Sequence, residues 1–246
     1  MRWVVLVLVV SGCSGAAASA GTAAIGAGAV RAGSSVPLSV HWSRTAAEHR
    51  AVFLQTYGYA GERVRELASG RATGSWAVVL DADETVIDNS LYQLERGREG
   101  LGFTEETWDA WVRREVAEAL PGAAEFIVLV RSLGGRVAIV TNRTQAQCPA
   151  TQSNFMKVGI LVDVMLCRPP ESSDKNPRFA QLREGGASPG VPPLEIVLWV
   201  GDNIQDFPAL TQSVRDAPLS TLADFGARFI VLPNPMYGSW ERNAVR

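Results

Sequence analysis

Histidine and cysteine are scarce, with 2 His and 3 Cys in 246 residues. His41 and His49 stand together near the start of the folded part, so a histidine relay or a histidine-ligated zinc site has little to be built from. So few cysteines exclude a disulfide-dense scaffold, and the spacing of Cys148 and Cys167 does not itself set whether they pair. Neither sign of charge is in excess, 23 Lys and Arg standing against 25 Asp and Glu. Without a basic face, binding to a nucleic-acid polymer is not expected. The apolar stretch Trp3 to Val10 is far shorter than the ~20 residues a membrane-spanning helix needs, and no later run is a convincing span.

What the N-terminus does carry is an address. Met1 and Arg2 precede the apolar stretch, and Ser11, Gly12 and Cys13 follow it. A positive start, a short greasy core and small residues form a secretory signal pattern, which assigns residues 1–12 to a signal peptide. The order Val10-Ser11-Gly12-Cys13 resembles the bacterial lipobox. That resemblance implies lipidation of Cys13 and an exported, membrane-anchored lipoprotein, on the outer membrane or facing the periplasm in a double-membraned host. Several acyl chains anchor stably where one is marginal, since each buried CH₂ contributes ~0.8 kcal/mol. Ser14 to Ser35 is almost entirely Ala, Gly and Ser. As a flexible coil, this tether would hold the folded part on the order of 25 Å from the lipid. Residues 36–246 remain for one α/β domain.

From Ser43 to about Leu67, apolar residues such as Phe53, Tyr57, Ala60 and Val64 recur at helical spacing behind Ser43 as a cap, predicting one or two long helices. Short apolar runs follow at Trp76–Leu80, Arg136–Val140, Val162–Leu166, Ile196–Val200 and Phe229–Leu232. Such strands, alternating with helices, predict a central parallel sheet covered on both faces. The connection from Glu84 to Gly135 is longer than one crossover helix requires. Thr104 is expected to cap a helix running to about Leu120, and Gly122 to Leu133 reads as another. Residues 86–121 are expected to form a small, mainly helical cap.

Asp81-Ala82-Asp83-Glu84-Thr85 follows the first strand directly, and Asp202 and Asp206 follow the fourth through Gly201. Ligands of open α/β sheets bind at the carboxyl ends of the strands, so two strands deliver acids to one edge. Like charges ~4 Å apart repel by roughly 4 kcal/mol at an effective dielectric of 20. A cation is then nearly obligatory, and hard carboxylate oxygens select Mg²⁺. The second strand runs into Thr141-Asn142-Arg143, offering a hydroxyl, main-chain N–H groups and a cation, and Lys175 follows the third. Taken singly, each of these reads equally well as a turn former or a solvated charge.

In order, D-A-D-E-T at Asp81, V-T-N-R ending at Arg143, D-K at Lys175 and G-D-N-x-x-D-F from Gly201 resemble the four motifs of haloacid-dehalogenase (HAD) superfamily phosphatases. More narrowly, D-A-D-E-T-V-I-D-N-S, the early H-W-S-R-T-A-A-E and the late F-I-V-L-P-N-P-M-Y-G-S-W-E resemble the bacterial class C acid phosphatases, the 5′-nucleotidase lipoprotein family. The likeness runs from Val40 to Glu241. It implies a HAD-like Rossmannoid fold and a Mg²⁺-dependent phosphomonoesterase working through an aspartyl-phosphate. Asp81 would be the nucleophile, and Asp83 the general acid and then the base. Asp81, Asp202 and the main-chain carbonyl of Asp83 would hold Mg²⁺, with Asp206 behind them. Thr141, Asn142 and Arg143 would bind the substrate's phosphoryl group while Lys175 neutralises charge. Trp108 and Tyr237 match aromatic positions that clamp a nucleobase in the family, which implies nucleoside 5′-monophosphate substrates. Ala82 stands where a larger apolar residue is usual and Thr141 where serine is common, and neither removes a functional group.

Alternatives stay open at this point. A phosphotransferase or a small-ester phosphatase would keep the same motifs, and a surface lipoprotein that only binds could keep the fold. Trp108, Trp111 and Trp240 could simply pack the cap against the body. The oligomeric state, a homodimer included, is not set.

Overall fold

The side chains of the first core strand, Trp76-Ala77-Val78-Val79-Leu80, are all buried, and they divide between two cores. In the computed structural model, which describes residues 36–245, Trp76, Val78 and Leu80 join one apolar cluster while Ala77 and Val79 join another. Period-two alternation with no polar side means that both faces of the sheet are covered. Each fully buried Val, Leu or Ile contributes about 1.5–3 kcal/mol.

The elements in chain order are α1 (Leu38–Thr45), α2 (Ala47–Ala68), β1 (Trp76–Leu80), β2 (Ile87–Asp88), α3 (Ser90–Arg98), α4 (Glu105–Arg114), β3 (Glu118–Ala119), α5 (Ala123–Ser132) and β4 (Arg136–Thr144). There follow α6 (Cys148–Lys157), β5 (Val164–Arg168), α7 (Asn176–Glu184), β6 (Glu195–Gly201) and β7 (Phe229–Val231). The central sheet has the order β5-β4-β1-β6-β7 with every pairing parallel. α2 and α5 supply Phe53, Tyr57, Val64, Phe126 and Val130 to one face. α7 supplies Phe179 and Leu182 to the other, with Phe207 and Phe229. This is the α/β architecture read from the alternation of strands and helices. Among the described residues, no helix is long and apolar enough to cross a membrane. The signal, lipobox and tether lie outside the described residues.

Three local expectations are corrected. Of the one or two helices expected there are two, meeting at Ala46, which is extended at φ −78° and ψ 131°, but the first begins at Leu38, ahead of Ser43. Thr45 turns its hydroxyl back to the His41 carbonyl, at 2.7 Å, a contact that bends helices. Ser43 is consequently buried inside α1 and caps nothing. The helix capped by Thr104 stops at Arg114, not near Leu120, because Glu115 takes a left-handed conformation at φ 53°. Asn154 then holds both main-chain groups of Ala117, at 3.1 and 2.8 Å, and β3 pairs antiparallel with β2. The segment 86–121 therefore contains two helices and a small hairpin-like sheet. Finally, β5 starts at Val164 rather than Val162, since the Asp163 carboxylate accepts the Val137 N–H at 2.8 Å and pairs with Arg131.

Cys148, opening α6, and Cys167, near the end of β5, form a disulfide with Cα atoms 6.1 Å apart. The bridge closes a loop between residues 19 apart, and a loop of that size is worth about 3 kcal/mol through the unfolded chain. We expect Cys148→Ser/Cys167→Ser to lower the thermal midpoint by several degrees in an oxidising buffer, and dithiothreitol to lower it only in the parent. Equal midpoints for parent and variant would show that the bridge contributes nothing.

Candidate active site

β1 and β6 are neighbours, so the residues that follow them stand side by side. The Asp81 N–H continues the ladder to the Val200 carbonyl at 3.0 Å, which fixes Asp81 opposite the end of β6. Past Gly201 and Asp202, the 3-10 turn Ile204–Asp206 brings Asp206 back over the strand end. Only glycine fits at 201, because a Cβ there would stand 2.4 Å from the Asp206 carboxylate. Single oxygens of Asp81, Asp202 and Asp206 all lie within 4.8 Å of one another.

Lys175 enters this cluster from the turn before α7. Its ammonium, 3% exposed, donates to Asp81 Oδ1 at 2.5 Å and to Asp206 Oδ1 at 2.6 Å. Asp206 Oδ2 accepts the Asn203 N–H at 2.8 Å, so both its oxygens are engaged. Asp202 accepts the Thr85 hydroxyl at 3.2 Å and the Asn234 amide at 2.8 Å, neither of them charged. One ammonium therefore serves two of the three carboxylates. Burial pushes Asp81 up to about 7, with Lys175 opposing and Asp206 and Asp83 reinforcing the rise. Burial, then Asp206 and Asp81, lift Asp202 well above the usual carboxylate range. Burial acts to lower Lys175, but Asp206 and Asp81 outweigh it and hold the ammonium at about 12. A permanently charged lysine beside surplus carboxylate is a donor set of hard oxygens that fits a divalent cation.

Asp83 belongs to a second network. Arg143, 2% exposed, forks onto it with Nη2 at 2.7 Å and Nε at 2.9 Å from Oδ1, and Asn89 Nδ2 adds a bond of 2.8 Å. The guanidinium is thus turned to Asp83 and to Thr151, at 3.1 Å, from within the protein. Glu84 sits between the networks in a left-handed conformation, φ 49°, with its carboxylate receiving the Asn89 N–H at 2.8 Å. Its burial, then Asp83, keep it well above the normal glutamate range.

The carboxyl end of β4 is held from α7. Arg178 donates to the Thr141 carbonyl and, at 2.7 Å, to Asn142 Oδ1. It also donates to the Ser173 and Asp174 carbonyls at 3.2 and 3.3 Å, so one buried guanidinium ties the carboxyl end of β4 to the loop carrying Lys175. The Thr141 hydroxyl accepts the Arg143 N–H at 3.1 Å.

Of the aromatic candidates, Trp108 lies half-buried on α4 with the Arg143 guanidinium 5.4 Å from its ring centre, which places it beside the Asp83 network. Tyr237 is half-buried in a loop joined to the acidic cluster by Asn234 on Asp202 and by Ser239 on Asn203, at 2.8 Å each. Its hydroxyl is buried without a hydrogen-bond partner. His49 packs between the rings of Trp42 and Phe53, at 5.3 and 4.6 Å. Cys13 lies outside the described residues. Sequence reading passed over Thr85, Asn89, Arg178 and Asn234. The first two sit inside the D-A-D-E-T-V-I-D-N-S run and Asn234 inside the late F-I-V-L-P-N-P-M-Y-G-S-W-E run, whereas Arg178 lies in none of the quoted motifs.

Comparison with known proteins bears on this geometry. A family model described as HAD superfamily, subfamily IIIB (acid phosphatase) matches residues 6–240. The class C acid phosphatase from Bacillus anthracis superposes with a TM-score of 0.74 at 33% identity, over 83% of this chain and 85% of that one. Its structure with tungstate bound gives 0.74 at 32% identity with the same coverage. A stem 31 kDa glycoprotein from Glycine max is 26% identical over 200 residues, 77% of this chain and 67% of that protein.

Because Asp81 and Asp202 hold protons more tightly folded than unfolded, the contribution of these two groups to the stability of the metal-free protein is fully present below the free carboxylate value and is lost as pH rises toward and past 7. We therefore expect a divalent cation to raise the thermal midpoint more at about pH 7.5 than at about pH 5, and Asp202→Asn to remove most of that difference. A cation-induced shift that is the same at both pH values would contradict the arrangement.

Proposed function

The chain belongs to the HAD-superfamily acid phosphatases of subfamily IIIB, hydrolases of phosphomonoesters, and from that premise we propose a Mg²⁺-dependent phosphatase for nucleoside 5′-monophosphates, exported and lipid-anchored at Cys13. Residues 1–12 are then the signal peptide, 13–35 the lipidated cysteine and tether, and 36–246 the catalytic domain with its cap at 86–121. The observation that carries the reading is the Lys175 ammonium bonded to both Asp81 and Asp206 beside Asp202. The tungstate bound by the Bacillus anthracis enzyme is a tetrahedral oxyanion like phosphate, which supports an oxyanion as ligand.

Asp81 is the nucleophile. Its carboxylate forms a bond to phosphorus as the bond from phosphorus to the leaving oxygen breaks, and Asp83 gives that oxygen its proton. Asp83 next takes a proton from water as the water oxygen attacks phosphorus, and phosphate leaves Asp81. Lys175 holds the nucleophile in place and offsets charge on the transferring group, and the Thr141 hydroxyl with the Asn142 N–H receives phosphoryl oxygens. Arg143 acts on this site through Asp83 rather than from open solvent, because its donors are spent on the protein. Asp81, Asp202 and the Asp83 carbonyl would hold Mg²⁺, with Asp206, whose oxygens are both engaged, supporting the cluster through Lys175. When bound, the ion supplies charge neutralisation between the nucleophile and the phosphate. Trp108 and Tyr237 stack on the base, a geometry suited to flat rings.

We expect phosphate release from a nucleoside 5′-monophosphate with Mg²⁺, its loss with excess EDTA, and a fall of at least about a thousandfold in kcat for Asp81→Asn with an unchanged circular dichroism spectrum. Chelator-insensitive turnover, or an active Asp81→Asn, would overturn the mechanism. Trp108→Ala should raise KM for the nucleotide about tenfold or more while leaving a small aryl phosphate nearly unaffected; equal effects on both would remove the base-stacking role.

A further inference from the structure

The two carboxylate oxygens of Asp83 are treated very differently. Oδ1 receives three short bonds, from Arg143 Nη2 at 2.7 Å, Asn89 Nδ2 at 2.8 Å and Arg143 Nε at 2.9 Å. Oδ2 receives only the longer branch of the Arg143 Nε bond, at 3.2 Å. The donors are themselves fixed. Asn89, fully buried, accepts the Trp111 indole N–H at 2.8 Å and Arg143 Nη2 at 3.1 Å on its own oxygen. Its amide also reaches Glu84 Oε2 at 3.3 Å, and Arg143 Nη1 is tied to Thr151. Trp111 is buried on α4. The least engaged atom of the network is this oxygen, held by one long bond on a side chain that is 17% exposed.

We propose that Arg143, Asn89 and Trp111 are positioning residues that pin Oδ1 of Asp83 and leave Oδ2 as the oxygen that meets the leaving group. The proposal rests on the reading of Asp83 as general acid. As the bond from Asp81 to phosphorus forms, the electron pair released on the leaving oxygen takes the proton from Oδ2, and the resulting carboxylate remains on the Arg143 fork. Because Trp111 and Trp108 both stand on α4, and Trp108 faces the Arg143 guanidinium, the cap carries the substrate-contacting ring and the anchor of the acid on one rigid helix. A buried network of this kind fixes a direction that no single contact would.

Proton donation matters most when the leaving oxygen is strongly basic. The test therefore compares kcat/KM, which reports the step that expels the leaving group, for phenyl phosphate and 4-nitrophenyl phosphate. The two rings are alike in shape, but phenolate, with a pKa of about 10, needs the proton more than 4-nitrophenolate does. Asp83→Asn serves as the reference, and a greater loss on phenyl than on 4-nitrophenyl phosphate supports its role as acid. If its losses are equal, the acid assignment itself is wrong and the positioning proposal falls with it. Given that reference, Trp111→Phe, which removes only the N–H, should lower kcat/KM for phenyl phosphate about threefold to tenfold and leave 4-nitrophenyl phosphate within about twofold. Asn89→Ala should widen the gap in the same sense, with Trp111→Phe carrying the test if Asn89→Ala does not fold. Equal losses on both substrates, or no loss in Trp111→Phe, would reduce the network to a structural one and overturn the proposal.

Discussion

The structure depends on one buried ammonium. Lys175 stands between Asp81 and Asp206, 2.5 and 2.6 Å from their oxygens, and without it the acids at the ends of β1 and β6 would be a cluster of desolvated like charges. A lone buried carboxylate tends to protonate. Two features of the sequence let the cluster close. Gly201 admits the Asp206 carboxylate to a space that a Cβ would fill, and Arg178 locks the loop bearing Lys175 to Thr141 at the carboxyl end of β4. Even so, charge balance is incomplete, because the bonds to Asp202 come from Thr85 and Asn234. That remaining deficit is what a divalent cation would relieve.

Asp83 lies two residues from Asp81 yet is kept out of this cluster. Its partners are Arg143 and Asn89, and Asn89 is in turn held by Trp111 of α4. The chain thus separates two carboxylates of one short loop by giving each a different cation, a lysine shared with other acids for one and a forked arginine for the other. In the proposed mechanism the first must attack and the second must carry a proton, and such a division calls for unlike surroundings. The left-handed Glu84 follows Asp83 directly, and its carboxylate receives the Asn89 N–H.

Much of this was legible from the chain alone. The unbroken apolar run Trp76–Leu80 and its counterparts announce a sheet covered on both faces, and the placement of Asp81 and Asp202 after two of them locates the functional edge. Periodicity could not see what depends on contacts distant in sequence. The stop of α4 at Arg114 is set by Asn154 holding Ala117, and the late start of β5 by Asp163 on Val137. The Cys148–Cys167 bond needed the 6.1 Å between Cα atoms. Arg143 was readable as a cation near a phosphate site, but only the fold shows its fork closed on Asp83. Arg178 lies outside the quoted motifs, and the motif around Asn234 does not name its partner, since each matters through a residue more than 30 positions away.

The account stands most directly on the covalent intermediate. Enzyme mixed with a phosphomonoester and Mg²⁺ and quenched in acid within one turnover should yield a base-labile phosphoryl adduct that peptide mass spectrometry assigns to Asp81. Full turnover with no adduct on that residue, or an adduct carried by a different side chain, would contradict Asp81 as the nucleophile.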